Sequence, residues 1–172
     1  MWSTALALPI LALPILTTYA AVSDLFTMQI PNRISLALVA AFALAVPAIG
    51  LDWTLVGQHA AVGAGVLALT FALFAAGWIG GGDAKLAAAL ALWMGPAHGL
   101  GFGLYTALYG GALTLLFLSF RAMPLPAMAL REEWILRLHG RQNGVPYGIA
   151  IAAGAITIFP KTVWFQALAT LL

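Results

Sequence analysis

The sequence AAVGAGVLALTFALFAAGWI, at residues 60–79, contains no Asp, Glu, Lys or Arg. An apolar stretch of about 20 residues is long enough to cross the hydrocarbon core of a bilayer as a helix. The rest of the chain has the same character, since only 12 of its 172 residues are charged (7 basic and 5 acidic) and 63% are hydrophobic. A soluble domain needs many more charges on its surface, and a disordered chain contains fewer apolar residues, so both classes are excluded.

Five further apolar runs flank this stretch, and together they predict an all-α, polytopic membrane protein. They lie at residues 2–22, 34–50, 84–94, 100–120 and 145–159, and the last could continue to residue 172. We expect about six transmembrane helices, with five as the alternative because the run at 84–94 is short. The first run could instead be a secretory signal peptide, although it lacks the basic residues that usually begin one.

The basic residues predict the orientation of the chain in the membrane. Six of the seven lie in alternate loops, which the positive-inside rule places in the cytoplasm. These six are Arg33, Lys85, Arg121, Arg131, Arg137 and Arg141. The N-terminus is then periplasmic, and Asp24 and Asp83 both lie at the cytoplasmic boundary of the membrane.

The long loop at residues 121–144 is predicted to hold a short amphipathic helix at the cytoplasmic interface. Leu130, Trp134 and Leu138 recur at helical spacing, and Glu133 stands four residues before Arg137, which favours a helical ion pair. Such a helix can anchor the loop to the membrane surface, or it can dock a partner protein.

Asp24 and Asp83 are the two acids best placed for a functional role. The remaining acids, Asp52, Glu132 and Glu133, fall in loops where water can solvate them. A carboxylate at the membrane edge is either a helix cap or part of a functional site. If the two groups converge, they would share a proton, so that one activates water while the other polarises a carbonyl. Such a pair could equally conduct cations or protons.

The three glycines at residues 80–82, directly before Asp83, favour the hydrolytic interpretation. They allow a sharp backbone bend and the close approach of an extended peptide. Lys85 is followed by Leu86 rather than by Ser or Thr, so this is not a phosphate-binding loop. The three histidines are far apart and cysteine is absent, so we expect no metal and no other cofactor. We expect no nucleic-acid partner either, since the few basic residues are accounted for by topology.

Three segments of the chain resemble the motifs of one protease family. Gly80-x-Gly82-Asp83-x-Lys85-Leu86 looks like the GxGDxKL motif of the type IV prepilin peptidases, which are membrane aspartyl proteases of the GxGD type. Asp24 followed by Ile30-Pro31-Asn32 is similar to the family's first catalytic segment. Pro146-Tyr147-Gly148 resembles the start of its last conserved helix. The three motifs occur in the family's order.

The resemblance implies that residues 1–172 form a single integral membrane peptidase domain in the bacterial inner membrane. Asp24 and Asp83 would be its catalytic aspartates. The residues expected to bind substrate or to shape the site are Gly80, Gly82, Lys85, Pro31, Asn32, Pro146 and Gly148. The partners would be membrane lipid and a prepilin-like precursor, whose short basic leader is cut at the cytoplasmic face.

The chain departs from the full-length members of that family in one respect. It lacks their Cys-rich insert, which is associated with N-methylation of the product, so methyltransferase activity is not expected. It instead resembles the small form that serves tight-adherence (Flp) pilus systems. Archaeal preflagellin peptidases share the motifs and stay an alternative. A small transporter and a non-catalytic scaffold for pilus assembly are the competing classes. The oligomeric state is not predicted.

The predicted orientation can be tested with reporter fusions along the chain. We expect a fusion at the N-terminus to report the periplasm, and fusions after residues 27 and 122 to report the cytoplasm, because of the basic residues in those loops. An N-terminus that reports the cytoplasm would overturn the orientation of every segment.

Overall fold

The computed structural model describes residues 2–126, 128–140, 142 and 144–171, with side chains from residue 7 to residue 170 within these ranges. All regular structure in this part of the chain is helical, which confirms the predicted all-α class. The helices are α1 (Trp2–Thr27), α2 (Asn32–Ile49), α3 (Trp53–Ala75), α4 (Gly81–Ala122), α5 (Glu133–His139), α6 (Gly148–Ile158) and α7 (Val163–Leu171). Single 3₁₀ turns lie at Ala129–Arg131 and Phe159–Lys161.

Four of these helices are long and apolar enough to cross a membrane, namely α1, α2, α3 and α4. A fifth span results if α6 and its following 3₁₀ turn are joined to α7 across a bend of 57°. The predicted number of about six spans is consistent with this arrangement only if α4 contributes two spans.

Helix α4 changes direction at Gly95. A straight helix of its 42 residues would be about 63 Å long, twice the thickness of a bilayer core. Gly95 has the non-helical angles φ 60° and ψ −168° and is followed by Pro96. Asp83, before the break, lines a cavity with Tyr147, and Gly110, after the break, packs against the same tyrosine. The two segments of α4 therefore return to the same end of the bundle, as the separate apolar runs at 84–94 and 100–120 suggest.

Helix α4 lies at the centre of the bundle, packed against α2, α3 and α6, while α1 packs against α2, α6 and α7. Buried aromatic side chains fix the end opposite the acids. The indole N–H of Trp164 on α7 donates to the carbonyl of Trp93 at 2.7 Å, and the indole N–H of Trp93 donates to the carbonyl of Leu38 at 2.9 Å. These bonds join α7, α4 and α2 inside an apolar core, where an unpaired N–H would be costly.

Several helix ends differ from the apolar runs because capping groups set them. Helix α3 begins at Trp53, seven residues before the run, because the Asp52 carboxylate accepts a 2.8 Å hydrogen bond from the backbone N–H of Thr54. That bond holds the pKa of Asp52 below its usual value. Helix α1 continues to Thr27 and closes at Met28, which has φ 55° and donates its N–H to the Asp24 carbonyl. Asp24 therefore lies in the last turn of α1 rather than beyond it.

The long loop does contain the short helix that was predicted, although Leu130 belongs to the preceding 3₁₀ turn. Trp134 packs edge-on against Phe26 of α1 with 5.1 Å between ring centroids, and Leu138 is buried. Arg121 donates to the carbonyl of Leu138 at 2.8 Å. The loop is thus fastened to α1 and α4, and its place at the membrane interface stays a prediction. Arg141 lies outside the described residues.

The Gly95→Ala variant tests the reversal in α4. A Cβ there would overlap the ring of His59, and the φ of 60° at this ψ is open essentially only to glycine. We expect a loss of stability of at least about 1–3 kcal/mol, seen as a lower midpoint of thermal unfolding in mild detergent.

Gly65→Ala is the matched control, since a Cβ on this α3 glycine meets nothing within 4 Å. A glycine-to-alanine change inside a helix stabilises by roughly 0.5–1 kcal/mol. Equal midpoints for the two variants would contradict the described turn at Gly95.

Candidate active site

Asp24 and Asp83, 59 positions apart in the sequence, line the same two cavities. One cavity has a volume of about 300 Å³ and the other about 350 Å³. Met28 and Gly80 line both cavities as well. The fold therefore brings together the two acids that the sequence singled out, one from the end of α1 and one from the start of α4.

Asp24 is held by the start of α6. Its side chain is only 5% exposed, and Oδ2 accepts a 2.7 Å hydrogen bond from the backbone N–H of Gly148. The first N–H groups of a helix have no partner within it, and they attract negative charge. Pro146, whose side chain is fully buried, fixes the chain immediately before this helix. A backbone group of α6 thus positions the carboxyl group of α1.

Asp24 and Ile30 approach Gly148 so closely that position 148 has no room for a side chain. A Cβ at Gly148 would lie 2.8 Å from Oδ2 of Asp24 and 2.7 Å from Cδ1 of Ile30. Gly82 also packs against Ile30, since a Cβ at Gly82 would lie 3.1 Å from Cβ of Ile30. The connection between α1 and α2 therefore fits between the starts of α4 and α6.

Asp83 lies in the first turn of α4, and its side chain turns back toward Gly80, which precedes the helix. A Cβ at Gly80 would lie 2.8 Å from Oδ2 of Asp83. The other oxygen, Oδ1, is buried and has no hydrogen-bond partner among the described residues. A buried polar atom without a partner is unusual and is expected where water or a ligand binds.

Lys85 and Asn32 join the two motif segments at the edge of the site. Nζ of Lys85 donates a 2.9 Å hydrogen bond to Oδ1 of Asn32. Pro31, rather than Asn32, occupies the N-cap position of α2, and no side chain caps that helix. The Asn32 side chain therefore links α2 to α4 instead of capping its own helix, and Lys85 is held beside the site.

Met28, Arg137 and Tyr147 are among the cavity-lining residues that were not selected from the sequence. Met28 lines both cavities in a left-handed conformation that L residues rarely adopt. Arg137 of α5 lines the larger of the two cavities and donates to the carbonyl of Phe26 at 3.1 Å. Tyr147 lines a third cavity with Asp83. Burial, and then the neighbouring Asp83, raises the pKa of the Tyr147 phenol.

The sequence carried a signal for two of these three. Met28 lies between Asp24 and Ile30 in the first motif segment. Tyr147 stands inside the Pro146–Gly148 motif, where only its neighbours were selected. Arg137 is 113 positions from Asp24, and no local pattern connects them. Within the described residues, no group of three or more His, Cys, Asp or Glu side chains is arranged to hold a metal ion.

The fold and the site together define a class, that of helical membrane proteins with two carboxyl groups from different helices facing common cavities. The sequence model of the type IV leader peptidase family matches residues 11–115, which include Asp24 and Asp83. Because this is more than half of the chain, the protein belongs to that family, as its motifs indicated. It is an integral membrane peptidase of the prepilin-processing kind, and its substrates are prepilin-like. Among curated proteins and among solved structures no match is found.

The Gly148→Ala variant tests whether α6 positions Asp24. The added methyl group must displace Ile30 or the Asp24 carboxyl group, and it disturbs the hydrogen bond from the backbone N–H of residue 148 to Asp24. We expect peptidase activity to fall about 100-fold, since small displacements of a catalytic group are costly, while the protein still inserts into membranes.

Gly111→Ala serves as the control, because a Cβ at this α4 glycine meets nothing within 4 Å. Activity is measured as leader removal in detergent, seen as a mobility shift on a gel. Wild-type activity in Gly148→Ala would show that this close contact has no role in the site.

Proposed function

We propose that the protein is an aspartic endopeptidase that removes the short basic leader of prepilin-like precursors at the cytoplasmic face of the membrane. The observation that carries this proposal is the placement of Asp24 and Asp83 on the same two cavities. Each acid comes from a separate helix and a separate sequence motif. A pair of carboxyl groups facing one water-filled space is the arrangement that hydrolysis by two aspartates requires.

In the proposed reaction one carboxyl group is ionised and the other protonated. The ionised group removes a proton from water, and the water oxygen attacks the carbonyl carbon of the scissile peptide bond. The protonated group donates a hydrogen bond to the carbonyl oxygen, which becomes negatively charged. The C–N bond then breaks as the leaving nitrogen takes up the proton that the first carboxyl group removed from water. The products are a carboxylate on the leader and a free amine on the mature protein.

The backbone around the acids suits an extended substrate. Gly80 has φ −72° and ψ 145°, which is an extended conformation, and it carries no side chain that would obstruct a peptide. Gly144 and Val145 line two cavities together with Gly80 and Asp83. A peptide can lie between these two backbone segments with its own N–H and C=O groups facing theirs, as in strand addition.

The proposed orientation follows from the charges near the acids. Lys85, Arg121 and Arg137 all belong to the loops predicted to be cytoplasmic, and Arg137 lines an acid-containing cavity. We infer that the site faces the cytoplasm of a bacterium from within its inner membrane.

No cofactor takes part in the proposed reaction, and methyltransferase activity is not part of it. We assign the protein to the small prepilin peptidases that serve Flp pili, in preference to the archaeal preflagellin peptidases.

The variants Asp24→Asn and Asp83→Asn test the catalytic pair. Each keeps the size of the side chain but removes the ability to transfer a proton. We expect each to reduce leader removal from a co-expressed prepilin by a factor of about 100 to 10,000, because general acid–base catalysis contributes that much. Both proteins should still be found in the membrane.

Asp52→Asn is the matched control, because asparagine also caps helices and Asp52 lies at the start of α3, away from the cavities. Full processing by either site variant would overturn the proposal.

The competing classes give different results with the same variants. A transporter would show an Asp83-dependent cation flux in proteoliposomes and no peptide cleavage. A scaffold would tolerate both substitutions without any change in pilus assembly.

A further inference from the structure

The loop that leads from α5 to α6 forms one wall of the acid-containing cavities. Gln142, Gly144 and Val145, which we call the loop wall, line the 350 Å³ cavity that holds both acids. Gly144 and Val145 also line a second cavity beside Asp83, with a volume of about 580 Å³. A peptide bound beside Asp83 is therefore within reach of the loop wall.

Packing anchors the loop wall at its end toward α6. Pro146 follows the wall directly, and its side chain is fully buried. Toward α5 the chain is less enclosed, since Gln142 and Gly144 are exposed. Apart from one bond donated by Arg121, the three residues of the wall make no hydrogen bond with the part of the chain that the structure describes. The position of the wall on this side therefore depends on Arg121.

Arg121, in the last turn of α4, bridges two carbonyl groups of the loop. Its Nε donates a 2.8 Å hydrogen bond to the carbonyl of Leu138 in α5, and its Nη2 donates a 2.7 Å hydrogen bond to the carbonyl of Gly144. The Leu138 side chain is buried, and the guanidinium carbon lies 5.7 Å from the centroid of the Phe117 ring. Because a guanidinium is a rigid, planar group, these two bonds fix the positions of both carbonyls relative to α4.

These bonds are not those of an arginine that caps its own helix. Basic side chains near the end of a helix can bond to its last carbonyls. Helix α4 instead closes with a backbone bond, in which the N–H of Met123 donates to the carbonyl of Phe120. The two hydrogen bonds of the Arg121 side chain go to residues 17 and 23 positions later in the chain. The side chain therefore holds the loop.

We propose that Arg121 is a positioning residue of the peptidase, which holds the loop wall against the acid cavities so that the substrate can bind beside it. This rests on the proposed function. Arg121 is not among the described residues that line these cavities, so it acts through the backbone of the wall and not by touching the substrate.

The bridge should affect substrate binding more than the chemical step. Asp24 is held by the N–H of Gly148, and Asp83 belongs to the first turn of α4. Neither acid depends directly on the loop wall. Loss of the bridge should therefore raise KM and leave kcat nearly unchanged.

Arg121→Lys tests the proposal in kinetics. Lysine keeps the positive charge, and with it the orientation signal, but replaces the planar fork by a single ammonium group on a flexible stem. Arg131→Lys is the matched control, since Arg131 is exposed in the same loop and lines none of the three acid-containing cavities among the described residues. The substrate is a synthetic peptide with a Lys-rich leader, a scissile Gly and a following apolar segment.

We expect Arg121→Lys to raise KM about tenfold and to change kcat by less than about twofold. Arg131→Lys should match the wild type in both constants. A wild-type KM for Arg121→Lys, an equal effect of the two variants, or a fall in kcat at unchanged KM would overturn the proposal.

A distance measurement tests the bridge without any use of activity. The chain contains no cysteine, so spin labels can be attached to two introduced cysteines, Gln142→Cys in the loop wall and Gly65→Cys on α3. Position 65 suits a reference label, because a Cβ there meets nothing within 4 Å and α3 packs along α4. We expect the distribution of distances between the labels to broaden in Arg121→Lys and to stay unchanged in Arg131→Lys.

The two measurements separate this proposal from the proposed function. An unchanged distribution in Arg121→Lys would overturn the bridge, even in a protein that removes leaders normally. Broadening in a protein whose wild-type form cleaves no precursor would overturn the proposed function instead, and with it the role of Arg121 in substrate binding.

Discussion

A hydrogen bond from the Gly148 backbone to Asp24, 2.7 Å long, joins residues 124 positions apart at the end of the bundle that holds both acids. A buried carboxyl group is costly in such surroundings unless its oxygens are bonded. The start of α6 provides the donor, and it can reach Asp24 only because Gly148 has no side chain. Helix α6 is itself positioned by the second segment of α4, which returns to this end after Gly95. The site on α1 therefore depends on the path of almost the whole chain.

The glycines of the sequence motifs share one physical role in this arrangement. Gly82 and Gly148 each make room for Ile30, and Gly80 makes room for the Asp83 carboxyl group. In each case the neighbour belongs to one of the same motifs. The motifs are therefore mutually dependent, since a side chain at any of these glycines would displace an acid or the connection that lies beside it. This explains why three short segments, widely separated in the chain, occur together in this sequence.

The sequence predicted those parts of the structure that depend on composition and spacing. Uninterrupted apolar runs identified the helices, and the scarcity of acids pointed to Asp24 and Asp83. Helix ends were less accurate because they depend on caps, such as Asp52 for α3 and the left-handed Met28 for α1. In the sequence, Gly95-Pro96 was visible as a break between two apolar runs. The packing of His59 against Gly95 could not be predicted from the sequence. Arg137 reaches the acid-lined cavity only through tertiary packing, for which one sequence contains no local pattern.

Helices α2 and α3 hardly contact each other, and the apolar space between them opens toward the side of the bundle, with Leu36, Val39 and Leu67 exposed at its rims. In a bilayer, acyl chains would fill this space, because apolar surface at that depth has no water to face. Lipid would then be part of the packing between the two helices. A change in the length of the acyl chains would therefore be expected to alter how α2 and α3 pack against α4.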